Sequence, residues 1–182
     1  MLEIHVPANE LFNERTSEFV STEETVLHLE HSLISISKWE SKWHKPFLLT
    51  TKEQHHTSDE MIDYIRCMTI DRSVDPNVYL ALTAENVESI KQYINDPMTA
   101  TTIADRPGAP LRREIITAEL IYYWMVSFGI PFDCEKWHVN KLITLIKVCS
   151  EKNNPKKMNN AAILAQNREI NEARKKALRT RG

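Results

Sequence analysis

The sequence predicts a mainly α-helical protein with a small N-terminal two-stranded β element and a basic C-terminal tail. Three observations indicate this: short runs of alternating apolar and polar residues before Ser32, apolar residues at every third or fourth position after it, and a change of composition after Asn153. We divide the chain at these points into a β element (1–31), a helical core domain (32–152) and a tail (153–182) that is helical or disordered.

The predicted β element consists of two runs, Leu2–Val6 and Thr25–Leu29, in which apolar and polar residues alternate. A period of two is typical of strands that bury one face. We expect the two runs to pair with each other, with a polar stretch as their connection.

The first predicted helix carries Leu33, Ile36, Trp39 and Trp43 at spacings of three to four residues, and Pro46 ends the pattern. These positions share one face of a helix. The segment therefore reads as an amphipathic helix with two tryptophans on the same side.

Two further helices have recognisable start signals. Thr57 followed by Glu60 fits a capping box, in which hydroxyl and carboxylate each satisfy a free backbone amide. Thr83 is a candidate cap for the next helix, which we expect to end before Pro97.

The predicted centre of the core is a helical hairpin of Glu114–Phe128 with Glu135–Cys149. The first of these segments is apolar nearly all round, which is typical of a fully buried helix. A turn as short as the one at Pro131 favours antiparallel packing of the two helices. We therefore expect Trp124 and Trp137 to be buried.

Composition excludes several broad classes. Of 182 residues, 42% are hydrophobic and 26% charged, as in ordinary globular domains, and no run approaches the roughly 18 apolar residues of a membrane span. Only three glycines occur, which disfavours a phosphate-binding loop. Three widely spaced cysteines indicate reduced thiols, and we expect a cytoplasmic protein without a membrane segment.

The net charge of −2 hides a division along the chain. Residues 151–182 carry nine Lys/Arg and three Asp/Glu, a charge of +6, which leaves −8 on the preceding residues. An acidic body with a basic tail suits binding to an acidic protein surface more than to nucleic acid, because the body repels phosphate and no aromatic residue lies in the basic run to stack on bases.

Cys134 and His138 are four residues apart and could in principle bind a metal or form a thiol–imidazole catalytic pair. The paired ligand spacing of structural zinc sites is absent, and Glu135 beside the thiol opposes thiolate formation. We expect buried structural residues here. The sequence predicts no catalytic residue, no metal site and no cofactor.

Two stretches are candidate partner-binding sites. The first is the helix with Trp39 and Trp43, because aromatic residues among cations are common at contact surfaces. Its cations are Lys38, Lys42 and Lys45. The second stretch is the basic end of the tail, with Arg174, Lys175, Lys176, Arg179 and Arg181.

Five segments of the body form a characteristic series: Leu29–Trp43, Asp75–Tyr79, Asp96–Thr102, Glu114–Met125 and Pro131–Lys141. With the terminal segment Asn171–Gly182, this series resembles a family of siphophage tail assembly chaperones. The resemblance extends over most of the chain from Leu29 onward.

The resemblance implies a mostly helical, non-enzymatic protein that often self-associates. It would bind the phage tape measure protein in the cytoplasm of the infected bacterium, keep it soluble, and be displaced as the tail tube polymerises. It would be absent from the mature virion. The alternatives are a structural virion component, such as a head–tail completion protein, and a small DNA-binding regulator.

Overall fold

The computed structural model describes residues 1–13, 18–48, 56–101, 115–153 and 168. The chain divides into two units, of which the first, Met1–Val148, contains the strands and most of the helical residues. The second, Cys149–Gly182, is described only at Cys149–Asn153 and Arg168. The predicted boundary at Asn153 thus meets the edge of the described residues, and the basic end of the tail lies outside them.

The predicted β element is confirmed. Strands β1 (Leu2–Val6) and β4 (Thr25–Leu29) pair in antiparallel register, with Leu2 facing Leu29 and Val6 facing Thr25. Their alternation buries Ile4, Val6, Leu27 and Leu29 against the helices.

The stretch between these strands is not only a polar connection, as we had expected. It forms a second antiparallel pair, β2 (Asn9–Asn13) with β3 (Glu18–Thr22). Asn9 faces Thr22, so this ladder continues the register of the first without a shift. Pro7 lies at the interruption and has no N–H to give to a ladder. The region is one hairpin that is broken at the proline.

The described residues contain five α-helices, so the mainly helical class is confirmed. They are α1 (Leu33–Trp43), α2 (Ser58–Met68), α3 (Ala84–Asn95), α4 (Ala118–Ser127) and α5 (Val139–Asn153). Two 3₁₀ helices occur between them, the first at Pro76–Leu80 and the second at Phe132–Lys136.

Local capping chemistry fixes where four of these helices begin. Ser32, Thr57, Thr83 and Thr117 each stand in extended conformation and accept a hydrogen bond from the amide three residues ahead. The predicted capping box of Thr57 and Glu60 and the predicted cap at Thr83 are both confirmed.

The predicted α4–α5 hairpin at the centre of the core is wrong. Helix α1 is the central element, because it packs against α2, α4 and the second 3₁₀ helix, whereas α4 has little contact with α5. Leu33, Ile36 and Trp39 of α1 are fully buried. Helix α4 buries only the side of Ala118, Ile121 and Met125.

The predicted burial of Trp124 and Trp137 is wrong as well. Trp124 is only partly covered, and Trp137 is 39% exposed with the Lys141 ammonium 4.6 Å from its ring centroid. The reason is the turn after α4: it continues into the second 3₁₀ helix, so α5 begins at Val139. Trp137 therefore precedes the helix on whose buried face it was expected.

Candidate protein-binding surface

The structure places Trp39 in the core and not on a contact surface. Its ring is 0% exposed, and its indole Nε1 donates to the backbone oxygen of Glu60 at 2.9 Å. Phe47 and His56 pack edge-on against the ring. Trp39 cannot serve as an exposed anchor for a partner without unfolding α1 from α2.

The neighbouring candidates at the end of α1 and just after it form a polar clasp with α2, made of Lys42, Trp43, Lys45, Glu60 and Asp63. The indole of Trp43 donates to Asp63 Oδ2 at 2.8 Å, and Lys42 also bonds to Asp63. Lys45 bonds to Glu60 Oε1 at 2.7 Å, and this hydrogen bond is the main cause of a lowered Glu60 pKa. These groups hold two helices together, although both lysine side chains remain 60% exposed.

The other predicted contact residues divide into two groups. Lys38 is exposed on α1 and remains available to a partner. The tail residues Arg174, Lys175, Lys176, Arg179 and Arg181 lie outside the described residues, so their role stays a prediction.

Three exposed apolar side chains lie on α4 and the segment after it. Tyr123 is 65% exposed and Val126 63% exposed, and their spacing of three residues puts them on one side of α4. Phe132, at 57%, belongs to the second 3₁₀ helix. We call these three residues the α4 face.

A partly buried layer attaches the second 3₁₀ helix to α4. The Tyr122 hydroxyl donates to Glu135 Oε2 at 2.9 Å, and burial together with this bond raises the tyrosine pKa to about 12. The Tyr122 and Phe132 ring centroids are 6.2 Å apart. Phe132 therefore lies next to α4.

The α4 face was missed because its sequence signal has two meanings. Of the ten residues of α4 only Glu119 is charged, a composition that we attributed to burial on all sides. The same composition is expected of a helix that packs on the core with one face and offers another to a partner. Sequence alone does not distinguish these cases.

A second apolar surface is the groove of about 440 Å³ between α2, the first 3₁₀ helix and α3. Met61, Ile62 and Ile65 line one side, and Leu82 and Val87 the other. It is open to solvent and lacks protruding aromatic side chains, so we regard it as a weaker candidate for partner binding than the α4 face.

The geometry does not assemble the catalytic pair considered for Cys134 and His138. His138 Nε2 donates to the Tyr93 carbonyl at 3.0 Å, and its Nδ1 has no hydrogen-bond partner, so neither nitrogen is bonded to the thiol. In the part of the chain that the structure describes, no three His, Cys, Asp or Glu side chains are grouped as metal ligands would be.

None of the described helices has both the length and the apolar character needed to cross a membrane. The chain matches no known protein-family model, no curated protein and no solved structure.

Proposed function

We propose that this protein is a tail assembly chaperone that binds the phage tape measure protein, keeps it soluble in the host cytoplasm and is displaced during tail tube polymerisation. The proposal combines the resemblance of the sequence with one structural observation, the α4 face. An exposed group of large apolar side chains on a folded unit is typical of a protein-binding surface.

The α4 face suits a helical client because it offers rigid apolar anchors around a nearly uncharged helix. Burying an exposed valine or aromatic side chain contributes about 1.5–3 kcal/mol, so a few such residues dominate binding of a standard interface. The same surface releases its client when tube subunits compete for it, since no covalent step or enclosed pocket is involved.

A matched pair of double variants tests the surface. Tyr123→Gln with Val126→Gln removes two apolar anchors without adding charge, and we expect co-purification with co-expressed tape measure protein to weaken at least about 10-fold. The control, Ile70→Gln with Ile115→Gln, alters two side chains of similar exposure outside both the α4 face and the groove between α2 and α3, and it should bind normally. Circular dichroism of both must match the parent. Equal binding by all three proteins would remove the α4 face from the proposal.

Purified virions separate the chaperone from a structural virion component. We expect quantitative mass spectrometry to find the tube and tape measure proteins but not this chain. Recovery in a fixed ratio to the tail proteins would contradict the proposal and support the structural alternative.

A further inference from the structure

Two buried histidines lie next to each other at the junction of β4, α1 and the start of α5. His31 is 1% exposed and lies between β4 and α1, and His138 is 6% exposed and lies just before α5. Their ring centroids are 4.9 Å apart at an interplanar angle of 71°. Their backbones are also bonded, because the Val139 amide donates to the His31 carbonyl at 2.8 Å.

Each ring also holds a further helix to this junction. His31 Nδ1 bonds to the Tyr64 hydroxyl of α2, and His138 Nε2 donates to the Tyr93 carbonyl near the end of α3. The Asn140 side chain adds two hydrogen bonds, to the carbonyls of Ile94 and Asp96 at 2.9 and 2.8 Å. The start of α5 is therefore hydrogen-bonded to α3 through His138 and Asn140. It is connected to the segment between β4 and α1 through the Val139 amide and the two histidine rings.

We propose that His31 and His138 form an acid-sensitive latch, which keeps the start of α5 closed while both rings are neutral and releases it when the pair takes up a proton. The reason is the close packing of the two rings. Two rings in van der Waals contact in the core cannot share the junction with an unpaired positive charge, because burying an uncompensated charge is costly.

The groups around the pair do not compensate such a charge at the rings. Tyr64 and Tyr93 are neutral phenols whose pKa values burial raises further. At His138 the hydrogen bond to the Tyr93 carbonyl and the negative charges of Glu30 and Asp96 favour the protonated ring, but they only partly offset burial, and its pKa is lowered. Glu30 is also engaged elsewhere, by the Tyr93 hydroxyl at 2.7 Å and the Met1 amino group at 3.0 Å.

The sign of the pH effect follows from these environments. Burial, and next the nearby His138, lower the pKa of His31 from 6.5 to about 3, and burial lowers that of His138. The open form takes up protons near 6.5, whereas the closed form resists them. The latch is therefore fully stable above about pH 6.5 and is lost progressively as the pH falls toward 3.

The amide of Val139 reports the latch directly, because its hydrogen bond to His31 must break on opening. Between pH 7.5 and 5.5 its opening constant, from hydrogen exchange corrected for intrinsic rates, should rise about 10-fold for His31 alone and up to about 100-fold for both rings. The Ile121 amide inside α4 should show no such rise. An equal rise at both amides, or none at Val139, overturns the proposal.

Variants identify the groups responsible. His31→Asn keeps a polar atom for Tyr64, and His138→Gln keeps a donor for Tyr93; together they should abolish the pH response at Val139. His5→Gln alters a solvent-exposed histidine and should retain it. If the double variant does not fold, the imidazole carbon NMR shifts of the parent decide: His31 should stay neutral at pH 5.5 in the closed form. A ring that titrates near 6.5 while Val139 stays protected refutes the latch.

Discussion

Identical residue types in similar helical patterns have opposite environments in this molecule. Trp39 is enclosed by three rings, those of Trp43, Phe47 and His56, and by a backbone acceptor, whereas Trp137 lies at the surface under a lysine. Periodicity assigns each to the apolar side of a segment, but tertiary packing decides which sides are covered. This is why Trp39, a predicted contact residue, is buried, and Trp137, which we expected to be buried, is exposed.

The first prediction follows from this difference. Trp39→Ala should lower the free energy of unfolding by about 3–5 kcal/mol, as truncation of core aromatics does. Trp137→Ala should cost less, because its side chain is already 39% exposed and loses fewer contacts on truncation. Urea denaturation of both variants measures the contrast. A smaller loss for Trp39→Ala than for Trp137→Ala would show that the assignment of core and surface is reversed.

Glu40 is a buried carboxylate that joins α1 to the start of α4. Its two oxygens accept from the amides of Phe47 at 2.8 Å and Ala118 at 2.7 Å. Burial raises its pKa despite these bonds. Glu40→Gln should cost about 1–3 kcal/mol, since its amide group would face a backbone donor. The exposed Glu119→Gln is the control, and equal thermal stability of the two variants would contradict this role.

At the scale of elements, local chemistry was predictable and mutual packing was not. The strand pair and the caps at Thr57 and Thr83 follow from residues within a few positions of each other. The second strand pair escaped notice because Pro7 interrupts the alternation. The exposed side of α4 was not predicted, because which side of α4 is buried depends on its packing against α1, nearly eighty residues away along the chain.

The α1–α2 clasp gives a prediction at this scale. Asp63 is buried and accepts from both Trp43 and Lys42, so Asp63→Ala leaves the indole N–H of the partly buried Trp43 without its acceptor. We expect a loss of about 1–3 kcal/mol in unfolding free energy. Glu88→Ala, at an exposed position of α3, should remain within about 0.5 kcal/mol of the parent. Equal losses in the two variants would mean that the clasp does not stabilise the helix pair.

At the scale of the whole molecule, we propose that the acidic body and the basic tail contribute to binding in different ways. Apolar anchors set most of the affinity of a protein interface, whereas exposed charges mainly set the association rate and its dependence on salt. The α4 face belongs to the body, and the cations at Arg174–Arg181 belong to the tail. The two should therefore be separable by experiment.

Deletion of residues 155–182 is the test of this division. We expect the shortened protein to bind tape measure protein only slightly more weakly at physiological salt, and to lose less affinity than its parent between 50 and about 300 mM salt, because the exposed cations that salt screens are gone. The Tyr123→Gln, Val126→Gln variant should show the opposite behaviour, with weak binding and an unchanged salt dependence. Binding titrations across the salt series compare the two. If deletion of the tail abolishes binding while the α4 variant binds normally, the client contacts the tail, and the apolar surface on α4 serves another partner.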